Sequence, residues 1–327
     1  MLFNNVQLNY VENHKHLGLT LSQNGSWNEH ISNIISSASK VLGSMRYLKF
    51  KLGRKTLNQI YLSFMRPILE YASVVWDGCN LYDKQNLEKL QYEAARIVTG
   101  LTKSVSIERL IREIGWVSLA DRRQIQKLII VYKYKTGNLP EYLHGIFPDL
   151  VSNINNYNLR NNDDFITVSR RTEIYSKSFI PSAISAWNNL TMEIRESRTL
   201  AIFKNRLKTL FKPTTVPSYF IYGERTYVIY QTRIRNFCSN LNSDLFSNHL
   251  KDNPSCDCGF NTENADHFFF NCPRFTTQRL NLFNSTRQFH PLNTNKLLFG
   301  QDTLLPEENA FIFSEVQKFI KMSQRFN

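Results

Sequence analysis

Hydrophobic residues recur at helical spacing through most of the chain, which predicts a mostly α-helical protein. The stretch from Ile31 to Met45 is typical, because its apolar residues lie three or four positions apart and so share one face of a helix. Between Val6 and Leu21 apolar and polar residues alternate instead. This shorter period predicts two strands, Val6 to Tyr10 and Leu17 to Leu21, that form a short N-terminal β-hairpin.

Breaks in this pattern divide the chain into consecutive parts. Six asparagines between residues 153 and 162 predict a polar loop or linker. Pro213 and Pro217 mark the start of a last domain. The expected parts are a hairpin at 1–25, a helical domain at 26–150, the Asn-rich linker at 151–178, a helical segment at 179–213 and a C-terminal domain at 214–327.

Composition narrows the possible functions. A chain of 327 residues with 42% hydrophobic content is long enough for two or three packed units, and wholesale disorder is not expected. The formal charge of +13 favours a polyanionic partner, RNA or DNA. Five cysteines, an odd number, do not fit a secreted disulfide framework. Without a membrane-length apolar run or a signal peptide, we expect an intracellular protein, nuclear or cytoplasmic, with no membrane partner.

The positive charges are clustered. No carboxylate occurs between Glu29 and Glu70, although seven cations lie there. A surface that only needs solubility usually mixes both signs, so this first cluster predicts phosphate contacts, with an ordinary solvated face as the alternative. Its members are Lys40, Arg46, Lys49, Lys51, Arg54, Lys55 and Arg66.

Two further clusters follow. The second surrounds an amphipathic helix that begins at Thr199 and is opposed only by Glu196. A third set of arginines lies among tyrosines and Phe237, a composition that suits single strands but equally suits the buried aromatics of a helix. The predicted nucleic-acid contacts are Arg195, Arg198, Lys204, Arg206 and Lys208 in the second cluster and Arg233 and Arg235 in the third.

Three cysteines and one histidine fall within a short C-terminal stretch. They are Cys256, Cys258, His267 and Cys272, with the spacing C-x1-C-x8-H-x4-C. Thiolates and imidazole are the ligands that structural zinc takes in tetrahedral sites, so the sequence predicts a zinc knuckle at 256–272. Only one residue separates the first two cysteines, which is fewer than zinc sites usually have. The alternative to a zinc knuckle is a coincidental cluster of these residues. The adjacent carboxylates Asp163 and Asp164 lie in the linker without a preceding strand, so we expect no catalytic residue there.

Several separate motifs resemble the C-terminal part of reverse transcriptases from non-LTR retrotransposons, the Jockey-like and related elements, and they occur in the same order as in that family. The first half contains His16-Leu17-Gly18-Leu19, Trp27-Asn28-Glu29-His30-Ile31 and Tyr61 to Ala72. The second half contains Leu87-Glu88-Lys89-Leu90, Ala186-Trp187-Asn188-Asn189-Leu190 and the Cys256-to-Cys272 box, which is similar to the family's CCHC box, where the one-residue spacing also occurs.

The resemblance implies a palm remnant at 1–25, a thumb-like domain at 26–150, a connection segment at 179–213 and a knuckle that contains zinc. It also implies RNA or DNA as the partner. The family's catalytic palm has an aromatic-x-Asp-Asp hairpin that binds magnesium, and neither this hairpin nor the endonuclease occurs in the sequence. We therefore expect a nucleic-acid-binding fragment of an RNA-directed DNA polymerase, encoded by a transposable element, that does not polymerise and does not itself bind magnesium. The alternative is an inactive relic or scaffold with a basic surface and structural zinc.

Overall fold

The structure is a computed structural model that describes residues 2–3, 6–7, 10–154, 162–167, 169, 172–211 and 215–326. It confirms the predicted fold class, because helices dominate and strands occur only near the N-terminus of the described residues. The strands are β1 Leu2–Phe3, β2 Val6–Gln7, β3 Asn13–His16 and β4 Leu19–Ser22.

The α-helices follow in chain order. The first nine are α1 Asn28–Leu48, α2 Arg54–Ile60, α3 Arg66–Glu70, α4 Ser73–Trp76, α5 Leu81–Thr99, α6 Ile107–Ile114, α7 Leu119–Lys135, α8 Val151–Ile154 and α9 Glu173–Lys177. The others are α10 Phe179–Asn188, α11 Met192–Arg195, α12 Leu200–Leu210, α13 Arg225–Arg235, α14 Asn242–Ser247, α15 Thr276–Ser285, α16 Thr294–Phe299 and α17 Pro306–Ser323.

The N-terminal hairpin forms with shifted strands: β4 contains Leu19 to Leu21 of the second predicted strand, whereas among the described residues of the first only Val6 and Gln7 lie in a strand, β2, which pairs with β1. β3 pairs antiparallel with β4, from Asn13 opposite Ser22 to His16 opposite Leu19. Leu17 and Gly18 form the two-residue turn, with φ angles of 46° and 80°. Two positive φ angles are what the tight turn of a twisted hairpin requires, so Leu17 belongs to the turn rather than to the second strand. In the first predicted strand, Leu8 lies outside the described residues and Tyr10 is exposed and not in a strand.

The chain forms two compact units, each assembled from stretches that are distant in sequence. The first unit comprises Met1–Val41, Phe64–Gln91 and Val117–Pro213. The second unit comprises Leu42–Ser63, Tyr92–Trp116 and Thr214–Asn327. The sequence-based division is consecutive, whereas residues 26–150 contribute to both units and residues 214–327 share theirs with two upstream stretches.

In the first unit, α7, α10 and α12 pack around a core that contains Trp187 and Phe203. Part of the predicted linker belongs to this core: Phe165 is buried, and its backbone pairs with Leu150. Phe165 also exchanges two hydrogen bonds with the Asn188 side chain. Residues 162–167 are therefore held in the folded first unit rather than in a free linker. Burial of the Phe165 ring removes apolar surface from water, which stabilises this arrangement. The asparagines between 155 and 161 lie outside the described residues.

A hydrophobic core of the second unit lies near the C-terminus. Aromatic side chains of α17 and of the segment 268–275 pack against one another, with Phe268 and Phe319 ring centroids 5.1 Å apart. Cys256 and Cys272 are part of the same buried cluster. The cysteine-histidine stretch is thus attached to a packed hydrophobic core. In the described part of the chain, no helix has the length and hydrophobicity needed to cross a membrane.

Candidate metal centre and basic surfaces

The four predicted ligands converge. One ligand atom from each of Cys256, Cys258, His267 and Cys272 lies within 4.8 Å of all the others. The Sγ atoms of Cys256 and Cys272 are 3.8 Å apart, and Cys258 Sγ is 3.3 Å from His267 Nε2. In a tetrahedral zinc site with Zn–S bonds of about 2.3 Å, neighbouring sulfurs lie about 3.8 Å apart. The donor set and its spacing therefore fit one small cation.

Backbone geometry at both ends of the stretch brings these atoms together. Gly259 has a φ of 92°, a left-handed conformation that glycine adopts without strain, and it closes a turn onto the carbonyl of Cys256. At the other end, the N–H of Cys272 donates to the carbonyl of His267 at 2.7 Å, which closes a π-helical turn. This wide turn places two ligands that are five residues apart on the same side.

Buried polar contacts hold the ligand loops. The Glu263 carboxylate accepts from Arg325 at 2.5 Å and from the backbone N–H of Asn242 at 2.9 Å. Arg279 donates to the backbone carbonyls of Phe269 and Cys272. The ring of Phe260 stacks on His267, with centroids 4.5 Å apart. These contacts preorganise the site, since the loops are fixed by groups other than the ligands.

The protonation of the ligands follows from their surroundings. Burial raises the pKa of the Cys256 thiol to about 12 and also raises the pKa of Cys272. A backbone N–H at Phe260 lowers the pKa of the more exposed Cys258. Burial lowers the pKa of His267, which favours the neutral imidazole that ligates metals. Binding of a cation would thus release protons from the two buried thiols.

Three of the predicted nucleic-acid contacts are wrong, because their side chains are buried in ion pairs. Arg54 and Arg235 enclose Glu113, with nitrogen–oxygen distances of 2.7 and 2.6 Å. Arg195 pairs with Asp164 at 2.5 Å. Guanidinium groups that are buried against carboxylates neutralise those carboxylates and cannot reach a phosphate at the surface.

The other predicted contacts are more accessible. Arg66, Arg206 and Arg233 are half-buried; Arg206 pairs with Glu193 at 3.7 Å, and Arg233 donates to the carbonyl of Gly100 at 2.9 Å. Lys49 is also half-buried. The exposed ones are Lys40, Arg46, Lys51, Lys55, Arg198, Lys204 and Lys208. The first and second clusters therefore present cations to solvent. In the third cluster, Arg235 is buried and Arg233 is half-buried.

The turn between α1 and α2 also exposes two aromatic side chains. Phe50 is 82% exposed, and Tyr47 is 64% exposed. Lys49 Nζ lies 4.8 Å from the centre of the Phe50 ring, and Lys51 Nζ lies 4.6 Å from the centre of the Tyr47 ring. We call this surface of the second unit the aromatic-basic patch, formed by Arg46, Tyr47, Lys49, Phe50, Lys51 and Lys55.

The charge pattern of the sequence predicts the cations of this patch but not the exposure of Tyr47 and Phe50. Both aromatics alternate with cations in a stretch without carboxylates, and that alternation is the signal that could have identified them. No protein-family model, curated protein or solved structure matches the chain. The chemistry of the candidate metal centre and of the aromatic-basic patch is therefore what indicates a function.

Proposed function

We propose that this chain binds single-stranded RNA or DNA through the aromatic-basic patch and that zinc occupies the cysteine-histidine site. The observation that supports the first part is the exposure of Phe50 among cations, in a stretch, Leu42–Ser63, that contains no carboxylate. The resemblance to the C-terminal part of non-LTR retrotransposon reverse transcriptases supports the same role, since that part of such a protein would hold a template or primer rather than polymerise.

The dipole of α1 and one ion pair explain only part of the composition of the aromatic-basic patch. Cations near the last turn of α1 interact favourably with the partial negative charge of a helix C-terminus. Arg46 is also partly offset by Glu93 at 3.8 Å. Neither effect explains an exposed phenylalanine, which loses hydrophobic free energy in water. Stacking of a base on Phe50, with Lys49 and Lys51 against the flanking phosphates, uses all three side chains together.

The ligand set supports zinc in particular. Three thiolates and one imidazole are soft or borderline ligands, which select zinc over magnesium or calcium. Four protein ligands fill a tetrahedral shell and leave no open position for substrate, so the role we propose is structural. His267 Nδ1 is buried without a hydrogen-bond partner in the described part of the chain.

Neutralising the patch tests the electrostatic part of the proposal. We expect the replacement of Arg46, Lys49, Lys51 and Lys55 by Gln to weaken binding of a single-stranded oligonucleotide strongly at low salt. Each lost phosphate contact removes about 0.7 from the slope of log affinity against log salt, so the slope should become shallower by up to about 3. Fluorescence anisotropy over a salt series measures this slope.

Lys103→Gln, an exposed cation of the same unit, is the control and should change the slope by less than about 1. An unchanged slope in the fourfold variant would favour a relic or scaffold whose basic surface binds nothing specific.

Removing the Phe50 ring tests the stacking part separately. We expect Phe50→Ala to weaken oligonucleotide binding by about 1–3 kcal/mol without changing the salt slope, because a stacked base is lost and no phosphate contact. Tyr142→Ala is the matched control, since Tyr142 is 81% exposed and lies in the first unit. Equal affinities of the Phe50 variant and the wild type, by the same anisotropy titration, would remove stacking from the proposal.

A further inference from the structure

A concave site in the first unit has an excess of positive charge. It is a cavity of about 460 Å³ between α5, α7 and α10. Lys84 contributes from α5, and Arg123 and Lys127 contribute from α7, where a spacing of four residues places them on one face. The carboxylate that these three cations share is Asp77, which also lines the cavity.

The contacts to Asp77 are short. Arg123 Nε donates to Oδ1 at 2.7 Å, Lys127 Nζ lies 2.5 Å from Oδ2, and Lys84 Nζ lies 3.2 Å from Oδ1. Burial opposes ionisation of this carboxyl, but the cations outweigh burial and lower the pKa of Asp77, so it carries a full negative charge at neutral pH. One carboxylate neutralises only one of the three cations.

Another acidic side chain acts on this cluster. Glu88 interacts electrostatically with Arg123, although burial raises the pKa of Glu88 and its Oε1 already accepts from the backbone N–H of Ala120. Even with Glu88 ionised, one positive charge remains in excess. Arg123 is only 2% exposed and Lys127 only 6%, so water screens this excess poorly.

One buried donor also lacks a partner. Arg123 Nη1 has no hydrogen-bond partner among the described residues. The Ser185 hydroxyl is a neutral donor that lines the same cavity, whereas the Ser182 hydroxyl accepts from Lys127 Nζ at 2.9 Å and donates to the backbone carbonyl of Ser178 at 2.7 Å. A guanidinium, ammonium groups and a hydroxyl that surround an open cavity are the donors that recognise a phosphate group.

We propose that this cavity is a phosphate-binding site, which takes either a free phosphate ion or a phosphate group of a nucleic-acid backbone. The site is separate in sequence from the aromatic-basic patch and does not depend on the function proposed above. Bound phosphate supplies the negative charge that Asp77 and Glu88 do not supply.

Isothermal titration of the full chain with inorganic phosphate, at constant ionic strength in chloride, tests the proposal. We expect saturable binding to the wild type, and binding at least about fivefold weaker for Lys84→Gln and for Ser185→Ala. Lys84 and Ser185 are half-buried at the cavity wall, so these variants should fold, which circular dichroism checks. Lys89→Gln is the matched control, because Lys89 is an exposed cation of the same helix that does not line the cavity.

A single-stranded oligonucleotide without terminal phosphates distinguishes the two sources. If its affinity falls with Lys84→Gln in parallel with that of phosphate, the site takes a backbone phosphate; if only phosphate binding falls, it takes the free ion. Absence of saturable binding up to about 10 mM phosphate, or equal binding by the wild type and both cavity variants, would overturn the proposal. The aromatic-basic patch is intact in every variant, so a negative result at the cavity does not contradict the function proposed for the patch.

Discussion

Removal of the proposed zinc from the cysteine-histidine site should loosen the surrounding loops of the second unit. Structural zinc contributes on the order of 10–16 kcal/mol of apparent binding free energy in small zinc-finger peptides, far more than any single side-chain contact. Without the cation, Cys256 and Cys272 return to buried thiols and the four ligands lose their common partner. We expect a chelator, or His267→Ala, to increase hydrogen exchange throughout residues 250–280. Exchange in α7 of the first unit should not change.

Elemental analysis provides the stoichiometry for the same prediction. Protein purified without chelator should contain about one zinc per chain. Cys79→Ala and Cys238→Ala are the matched controls, because both cysteines are buried and neither belongs to the cluster. Less than about half an equivalent of metal in the wild type, or loss of metal in either control, would contradict the assignment of the four ligands.

Neutralising Glu113 should destabilise the protein far more than neutralising an exposed carboxylate. In the described structure the Glu113 carboxylate lies between Arg54 and Arg235 and also accepts from Asn236 at 3.1 Å. Glu113→Gln leaves two buried guanidinium groups without their counter-charge, which costs about 3–5 kcal/mol. Urea unfolding measures the change. Glu108→Gln, an exposed residue of the same helix that pairs with Arg112 at 2.6 Å, should cost less than about 1 kcal/mol.

The same carboxylate predicts how stability depends on pH. Burial opposes ionisation of Glu113, but the two arginines outweigh it and lower its pKa from 4.5 to about 2. A pKa that is lower in the folded state means that the stabilisation is complete above pH 4.5 and is lost as the pH falls toward 2. The contribution is about 3 kcal/mol. The difference in unfolding free energy between wild type and Glu113→Gln should therefore shrink as the pH falls through this range. A difference that stays constant would mean that Glu113 is not the titrating group.

Helix boundaries were predictable where a local side chain sets them. Ser106, Ser118 and Thr199 are residue types that favour the position before a helix, and the side chain of each accepts a hydrogen bond from a backbone N–H in the first turn. Gly115 ends α6 with a φ of 72°, a left-handed conformation that glycine adopts readily. The hairpin turn at Leu17 was missed because leucine rarely adopts positive φ, so the sequence favoured a strand there.

The site was predictable to the extent that its residues are close in sequence. The four metal ligands lie within one short stretch, and spacing alone indicated them. The roles of the arginines depended on distant partners: Glu113 is 59 residues from Arg54 and 122 residues from Arg235. No local pattern distinguishes an arginine that will meet such a carboxylate from one that will remain in solvent. Exposure of Phe50 was likewise not predictable, because it depends on whether any other segment covers the ring.

The assembly of the second unit from distant stretches has a consequence for its synthesis. Arg225 donates to the backbone carbonyl of Lys49 at 2.6 Å, and the two residues are 176 positions apart. A ribosome that adds about 5–20 residues per second needs roughly 10–35 s to travel from one to the other. During that interval Leu42–Ser63 and Tyr92–Trp116 have emerged without the C-terminal stretch against which they fold. Nascent chains at this stage expose apolar surface, and we expect them to be the species that chaperones bind.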